Sequence, residues 1–182
     1  DGMGGGFVSE FVAGETFPKK IIESAEFAEV RPVLVRQFGE LLALLHGLPV
    51  DSFLFLASRA DSIDALRAQR LRIDAYGQWR PALELGLRWL ERNRPPAEPN
   101  ALLHGDFRVG NVMVGPQGIS AVLDWECTHL GAPHEDMGWL GMRSWRFGQP
   151  QLPVGGLSDW PPFIASYESA SGRRVARPNR HP

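Results

Sequence analysis

Two stretches concentrate the oxygen-bearing side chains able to act together: Leu103-His104-Gly105-Asp106-Phe107-Arg108-Val109-Gly110-Asn111-Val112-Met113-Val114, and Val122-Leu123-Asp124-Trp125-Glu126. Asp106 sits in a glycine-flanked loop, and Asn111 follows it by five residues. Residues 111–114 and 119–125 read as two strands joined by the Gly115-Pro116-Gln117-Gly118 turn. With the turn centred on 116–117, residue 114 faces 119 and residue 111 faces 122. The period of two then puts Asn111, Met113, Val122 and Asp124 on one face. An amide oxygen and a carboxylate that close suit a hard cation such as Mg²⁺, which keeps waters and takes its other ligands from substrate phosphates. Asp106, off that face, is free to accept a proton from a hydroxyl nucleophile. Together these are the parts of a phosphoryl-transfer site.

The elements that must position this set are mainly helical. Residues 7–12 (FVSEFV) read as a short buried strand stopped by Ala13-Gly14. Leu34, Phe38, Leu41, Leu42 and Leu45 recur at helical spacing until Gly47 and Pro49 end the run. A second helical region covers 62–93, with Ser62 as N-cap, a stripe of Trp79, Leu83, Leu87 and Leu90, and a break at Pro81. Arg94-Pro95-Pro96-Ala97-Glu98-Pro99 is a stiff connector to a strand at 101–103. Helices are expected over 135–147, with Met137, Leu140 and Trp145 as apolar positions, and over 158–170.

Composition excludes several classes. The 182 residues are 43 % hydrophobic and 22 % charged, as in a folded soluble domain rather than a disordered chain. Nineteen basic against 21 acidic residues give none of the basic excess of a general nucleic-acid binder. A lone cysteine, Cys127, forms no internal disulfide, so a reducing compartment is the default. No apolar run approaches the ~18 residues of a membrane span, and a cytoplasmic location is expected. Only Lys19 and Lys20 are lysines.

His104-Gly105-Asp106, Asn111 and Leu123-Asp124-Trp125-Glu126 resemble the aminoglycoside phosphotransferase and choline kinase group of protein-kinase-like enzymes, with Gly105 where protein kinases carry Arg. Within that group, Trp125-Glu126-Cys127-Thr128-His129-Leu130-Gly131-Ala132-Pro133-His134-Glu135-Asp136-Met137-Gly138-Trp139-Leu140 and Arg143-Ser144-Trp145-Arg146-Phe147-Gly148 are similar to the kinase-like domains associated with acyl-CoA dehydrogenases. The resemblance implies an α+β, mainly helical C-terminal lobe of a protein-kinase-like fold, with a short hinge strand and a catalytic β-hairpin. It implies ATP and Mg²⁺ as cofactors, a small-molecule hydroxyl as phosphate acceptor, and fusion to or association with an acyl-CoA dehydrogenase-like domain. Carried over residue by residue, Asp106 is the catalytic base and Asn111 and Asp124 hold Mg²⁺. Arg108 takes the place of a lysine that approaches the transferred phosphate. The Glu10 carbonyl and Val12 amide meet the adenine edge, with Met113 as its floor. Asp136 braces the catalytic loop through its backbone.

The same resemblance divides the chain into a hinge region (1–16), a helical insert (51–99), the catalytic loop and metal-binding hairpin (101–126) and C-terminal helices (133–182), with the N-terminal lobe absent and the last helices truncated. Gly2-Met3-Gly4-Gly5-Gly6 is not a phosphate loop: Gly-Lys-Ser/Thr does not follow, and Phe7 stands where a kinase loop needs its third glycine. His46 reads as a helix C-terminal residue. Two other functions fit the residues: a metal-dependent hydrolase using His104, Asp106, Asp124, His129 and His134, and a kinase-like binding module without catalysis.

Overall fold

A computed structural model describes residues 10–58, 64–94 and 98–175. Six α-helices occur in the described residues: α1 (Pro18–Glu23), α2 (Arg31–His46), α3 (Ala65–Ala75), α4 (Pro81–Arg92), α5 (His134–Leu140) and α6 (Trp160–Ser171). They surround two small antiparallel sheets. One pairs β1 (Ala101–Leu103) with β4 (His129–Gly131), and the other pairs β2 (Val112–Gly115) with β3 (Gly118–Val122). The architecture is the expected α+β, mainly helical one. No single helix among the described residues is long and apolar enough to cross a membrane.

The scaffold is the crossing of α2 and α6. The apolar face read from the sequence, Leu34, Phe38, Leu42 and Leu45, is buried there with Phe163 and Tyr167 of α6, and Leu41 is partly buried beside it. At the crossing point Gly39 lets the backbones meet: a β-carbon there would stand 2.8 Å from Ser166 Cβ and 2.8 Å from the Tyr167 nitrogen. Pro161 and Pro162 fall in the first turn of α6, where no intrahelical N–H is lost. Phe38 reaches from α2 to the loop after β1, packing edge-on against Phe107 at 5.4 Å between ring centres. That contact links the helical core to the loop bearing Asp106.

Several expectations need correction. Of the strand expected at 7–12, residues 7–9 lie outside the described residues, and Glu10–Val12 form no strand. Among the described residues the first strand-like pairing is at Glu15, whose N–H and carbonyl exchange bonds of 2.9 Å with Val114. In the region 62–93 the described residues form two helices, with the expected break at Pro81, but the first is capped by Asp64, which accepts from the Arg67 N–H at 3.0 Å, and Ser62 lies outside the described residues. Trp79 precedes α4 and is 84 % exposed; only Leu87 of the proposed stripe is buried. The helix expected over 135–147 stops at Leu140 and gives way to a 3₁₀ turn at Arg143–Trp145, with Arg146 donating to the Gly141 carbonyl at 2.9 Å.

The hairpin register also differs. Val114 faces Ile119 as expected, but a bulge at Ser120 shifts the rest, so Val112, not Asn111, faces Val122. Asn111 and Asp124 lie just beyond the strand ends instead of sharing a regular strand face. Replacing Gly39 by valine is expected to lower stability by about 1–3 kcal/mol, because neither helix backbone can yield without repacking; the urea unfolding midpoint measures it.

Candidate functional site

The site begins where β1 ends. Ala101, Leu102 and Leu103 are all buried, which carries the chain through the core to His104. Gly105 then turns it with φ +82°, and a β-carbon there would lie 2.3 Å from the Cys127 carbonyl oxygen. Only glycine meets both conditions. This turn takes the His104 and Gly105 amides away from strand pairing, and Asp136 of α5 accepts both: Oδ2 from the His104 N–H at 2.9 Å and Oδ1 from the Gly105 N–H at 2.8 Å. The expected bracing by Asp136 is thus present, through a fully buried carboxylate.

His46 makes the third bond to that carboxylate. Its Nε2 lies 3.2 Å from Asp136 Oδ2 and its Nδ1 lies 3.0 Å from the Tyr167 hydroxyl, so the tautomer protonated on Nε2 satisfies both neighbours. Reading His46 as a simple helix-end residue missed this. Its burial follows from the apolar face of α2 that it continues, Leu42, Leu45 and His46 all being buried. Burial of the Tyr167 phenol pushes its pKa up from 10.0 to about 12.

Asp106 carries the most directed interactions at the surface of the site. Its Oδ2 accepts from Asn111 Nδ2 at 2.7 Å, and its Oδ1 accepts from the indole Nε1 of Trp139 at 2.5 Å. Arg108 Nε stands 3.2 Å from both oxygens, with its guanidinium 4.8 Å over the Trp145 ring. Asn111 also donates to the Asp106 carbonyl at 2.9 Å. The amide nitrogen is therefore committed to Asp106, and the amide oxygen is the group left for a cation. Asp124 is exposed in the left-handed conformation, φ 65° and ψ 59°. Its neighbour Leu123 donates to the Asn111 carbonyl at 2.8 Å, which brings the two ends of the hairpin together. An amide oxygen and an exposed carboxylate are donor types that suit Mg²⁺, which completes its shell with water and phosphate oxygens.

The remaining predicted residues are placed as follows. Met113 is half-buried, its Cγ 2.6 Å from where a β-carbon on Gly14 would stand, so it packs beside the segment that follows Glu10 and Val12. Glu10 is exposed and Val12 half-buried, with no strand to orient them. The histidine cluster of the hydrolase reading is not assembled. His104 accepts from the Asp106 N–H at 3.2 Å and donates to the Leu123 carbonyl at 2.8 Å, so both ring nitrogens are occupied. His129 donates to the Cys127 carbonyl and lies 3.3 Å from Glu135, and His134 lies 3.3 Å from Glu98. Among the described residues no three His, Cys, Asp or Glu side chains are grouped to hold a metal.

Trp139 and Trp145 were missed as site residues. A signal existed for Trp139: it follows Asp136 by one helical turn, so both side chains face the same loop.

Two measurements check this construction. Asp136→Asn replaces one acceptor oxygen by a donor facing an N–H, and stability should fall by about 2–4 kcal/mol in denaturant titration. Between pH 10 and 12 the unfolded chain releases the Tyr167 proton while the folded chain keeps it, so stability should decline as pH rises through that window. The decline should be shallower in Tyr167→Phe than in the parent.

Comparison with known proteins gives the family and the fold. Acyl-CoA dehydrogenase family member 11 of Rattus norvegicus is 31 % identical over 145 residues, covering 75 % of this chain. The protein of that name from Pongo abelii is 30 % identical over 173 residues, covering 89 %. The chain spans about a fifth of those relatives, 18 % and 22 % of their lengths. Among solved structures, macrolide 2'-phosphotransferase type I superposes with a TM-score of 0.58 at 22 % identity, over 80 % of this chain and 46 % of that one. Aminoglycoside-3'-phosphotransferase of type VIII gives 0.57 at 22 % identity, over 81 % and 57 %. These two show a shared fold. A family model matches residues 2–176, nearly the whole chain, and by that match the protein belongs to the phosphotransferase enzyme (APH) family.

Proposed function

We propose that this chain carries the catalytic base and the metal-binding side chains of an ATP-dependent phosphotransferase acting on a small-molecule hydroxyl. The observation that carries the reading is Asp106. Its carboxylate is held by Asn111 and Trp139, in a loop braced from below by buried Asp136. A carboxylate held in one orientation suits a base that must meet one proton.

In this reading Asp106 accepts the hydroxyl proton as the acceptor oxygen bonds to the γ-phosphorus and the bond to the β,γ-bridging oxygen breaks, releasing ADP. Asn111 Oδ1 and Asp124 hold Mg²⁺, which when bound neutralises phosphate charge. Arg108 leaves Asp106 for the transferred phosphoryl group, where a planar guanidinium can engage two oxygens. Residues 51–99 and the C-terminal helices shape the acceptor site, and Glu10, Val12 and Met113 face the adenine. Similarity to acyl-CoA dehydrogenase family member 11 supports association with a dehydrogenase-like domain.

In the intact enzyme Asp106→Ala is expected to lower kcat by roughly 10²- to 10⁴-fold, followed as phosphate release from magnesium ATP, with the fold retained by circular dichroism. Activity within about tenfold of the parent would sink the base assignment.

A further inference from the structure

We infer that Trp139 is a positioning residue for the base: its indole N–H locks the Asp106 carboxylate, while Arg108 is the exchangeable donor that yields its place to the incoming hydroxyl. This rests on the reading of Asp106 as base.

The argument is one of occupancy. A carboxylate offers about four lone-pair sites. Here Oδ1 accepts from Trp139 at 2.5 Å, Oδ2 accepts from Asn111 at 2.7 Å, and the Arg108 Nε–H is shared between them at 3.2 Å each. The two short bonds come from anchored donors. Asn111 is buried and also tied to the Asp106 carbonyl, and Trp139 stands on α5 one turn from Asp136. The long, divided bond comes from a partly buried arginine, its side chain 23 % exposed, resting on the face of Trp145. A hydroxyl approaching Asp106 displaces the donor with the longest, divided contact, and a phosphoryl group offers the guanidinium a new anionic partner, so Arg108 departs and the freed oxygen site receives the proton.

Indole chemistry suits the locking role. Trp139 has a single N–H and no acceptor, so it can hold the carboxylate without competing for the substrate proton. Its ring also lies 5.8 Å from that of Trp145, supporting the surface on which Arg108 rests. A phenylalanine keeps the ring and removes only the N–H.

Trp139→Phe is expected to lower kcat for phosphate release from magnesium ATP by about tenfold or more, the scale of one hydrogen bond to a charged group. The KM for magnesium ATP should stay within about twofold of the parent, since only the base is disturbed. Added to Asp106→Ala, the same change should cause no further loss. A second readout needs no turnover. In ¹⁵N spectra the Trp139 indole is the cross-peak lost in Trp139→Phe; in Asp106→Ala it should move upfield and exchange faster with solvent, while the indoles of Trp79, Trp89 and Trp160, which do not touch this cluster, hold. An unmoved Trp139 indole in Asp106→Ala overturns the proposal. So does an unchanged kcat in Trp139→Phe beside an inactive Asp106→Ala enzyme, which leaves the base assignment standing. Full activity in Asp106→Ala overturns both.

Discussion

The carboxylate of Asp136 is fully buried, and its oxygens accept from the backbone of His104, the backbone of Gly105 and the ring of His46. Taking a carboxylate out of water is costly unless it is hydrogen-bonded, and here three donors reach it. The donors come from different parts of the chain. His46 ends α2, and through Tyr167 it is tied to α6; His104 and Gly105 follow β1. One side chain therefore joins the helical scaffold to the loop, and the loop's position is a consequence of that junction. The bond also answers a backbone need. Gly105 turns out of the strand with φ +82°, and the amides around it require acceptors that no strand supplies.

What the braced loop presents is a carboxylate, and its surroundings show how a small fold specialises similar groups. Asp136 is enclosed and holds backbone; Asp106 is half-buried and held by side chains; Asp124 is exposed in a left-handed conformation. Aspartate tolerates that conformation better than most residues, and strain of this kind concentrates where a side chain must be aimed. His104 shows the complementary economy. Both ring nitrogens are spent on the backbone, one on the Asp106 amide and one on the Leu123 carbonyl, so the histidine of the motif clasps loop to hairpin. It is a fastener beside the chemistry, and the exposed residues around it are left to meet ligand.

Much of this was legible in the residues. The apolar period of α2, the buried strand before His104, the turn at 116–117 and the spacing from Asp106 through Asn111 to Asp124 all report local geometry, which sequence encodes directly. The errors share a cause. The bulge at Ser120 took Asn111 out of its expected register with Val122, Trp145 looked like an ordinary apolar helix position, Trp139 was given no role, and His46 looked like a helix end. Each depends on a partner distant in the chain, and periodicity carries no record of which partner that is.

By itself, then, the sequence determined the helical scaffold, the hairpin, and the residue types and order of a phosphoryl-transfer motif, because these follow from periodicity, turn chemistry and short-range spacing. Tertiary structure decided the environment of each group. It chose which aspartate is enclosed and which is exposed, spent both ring nitrogens of His104 on backbone, and brought an indole from α5 and an arginine from the loop onto one carboxylate. Burial and hydrogen-bond occupancy arise only when distant segments pack, and those quantities separate a bracing carboxylate from one free to accept a proton.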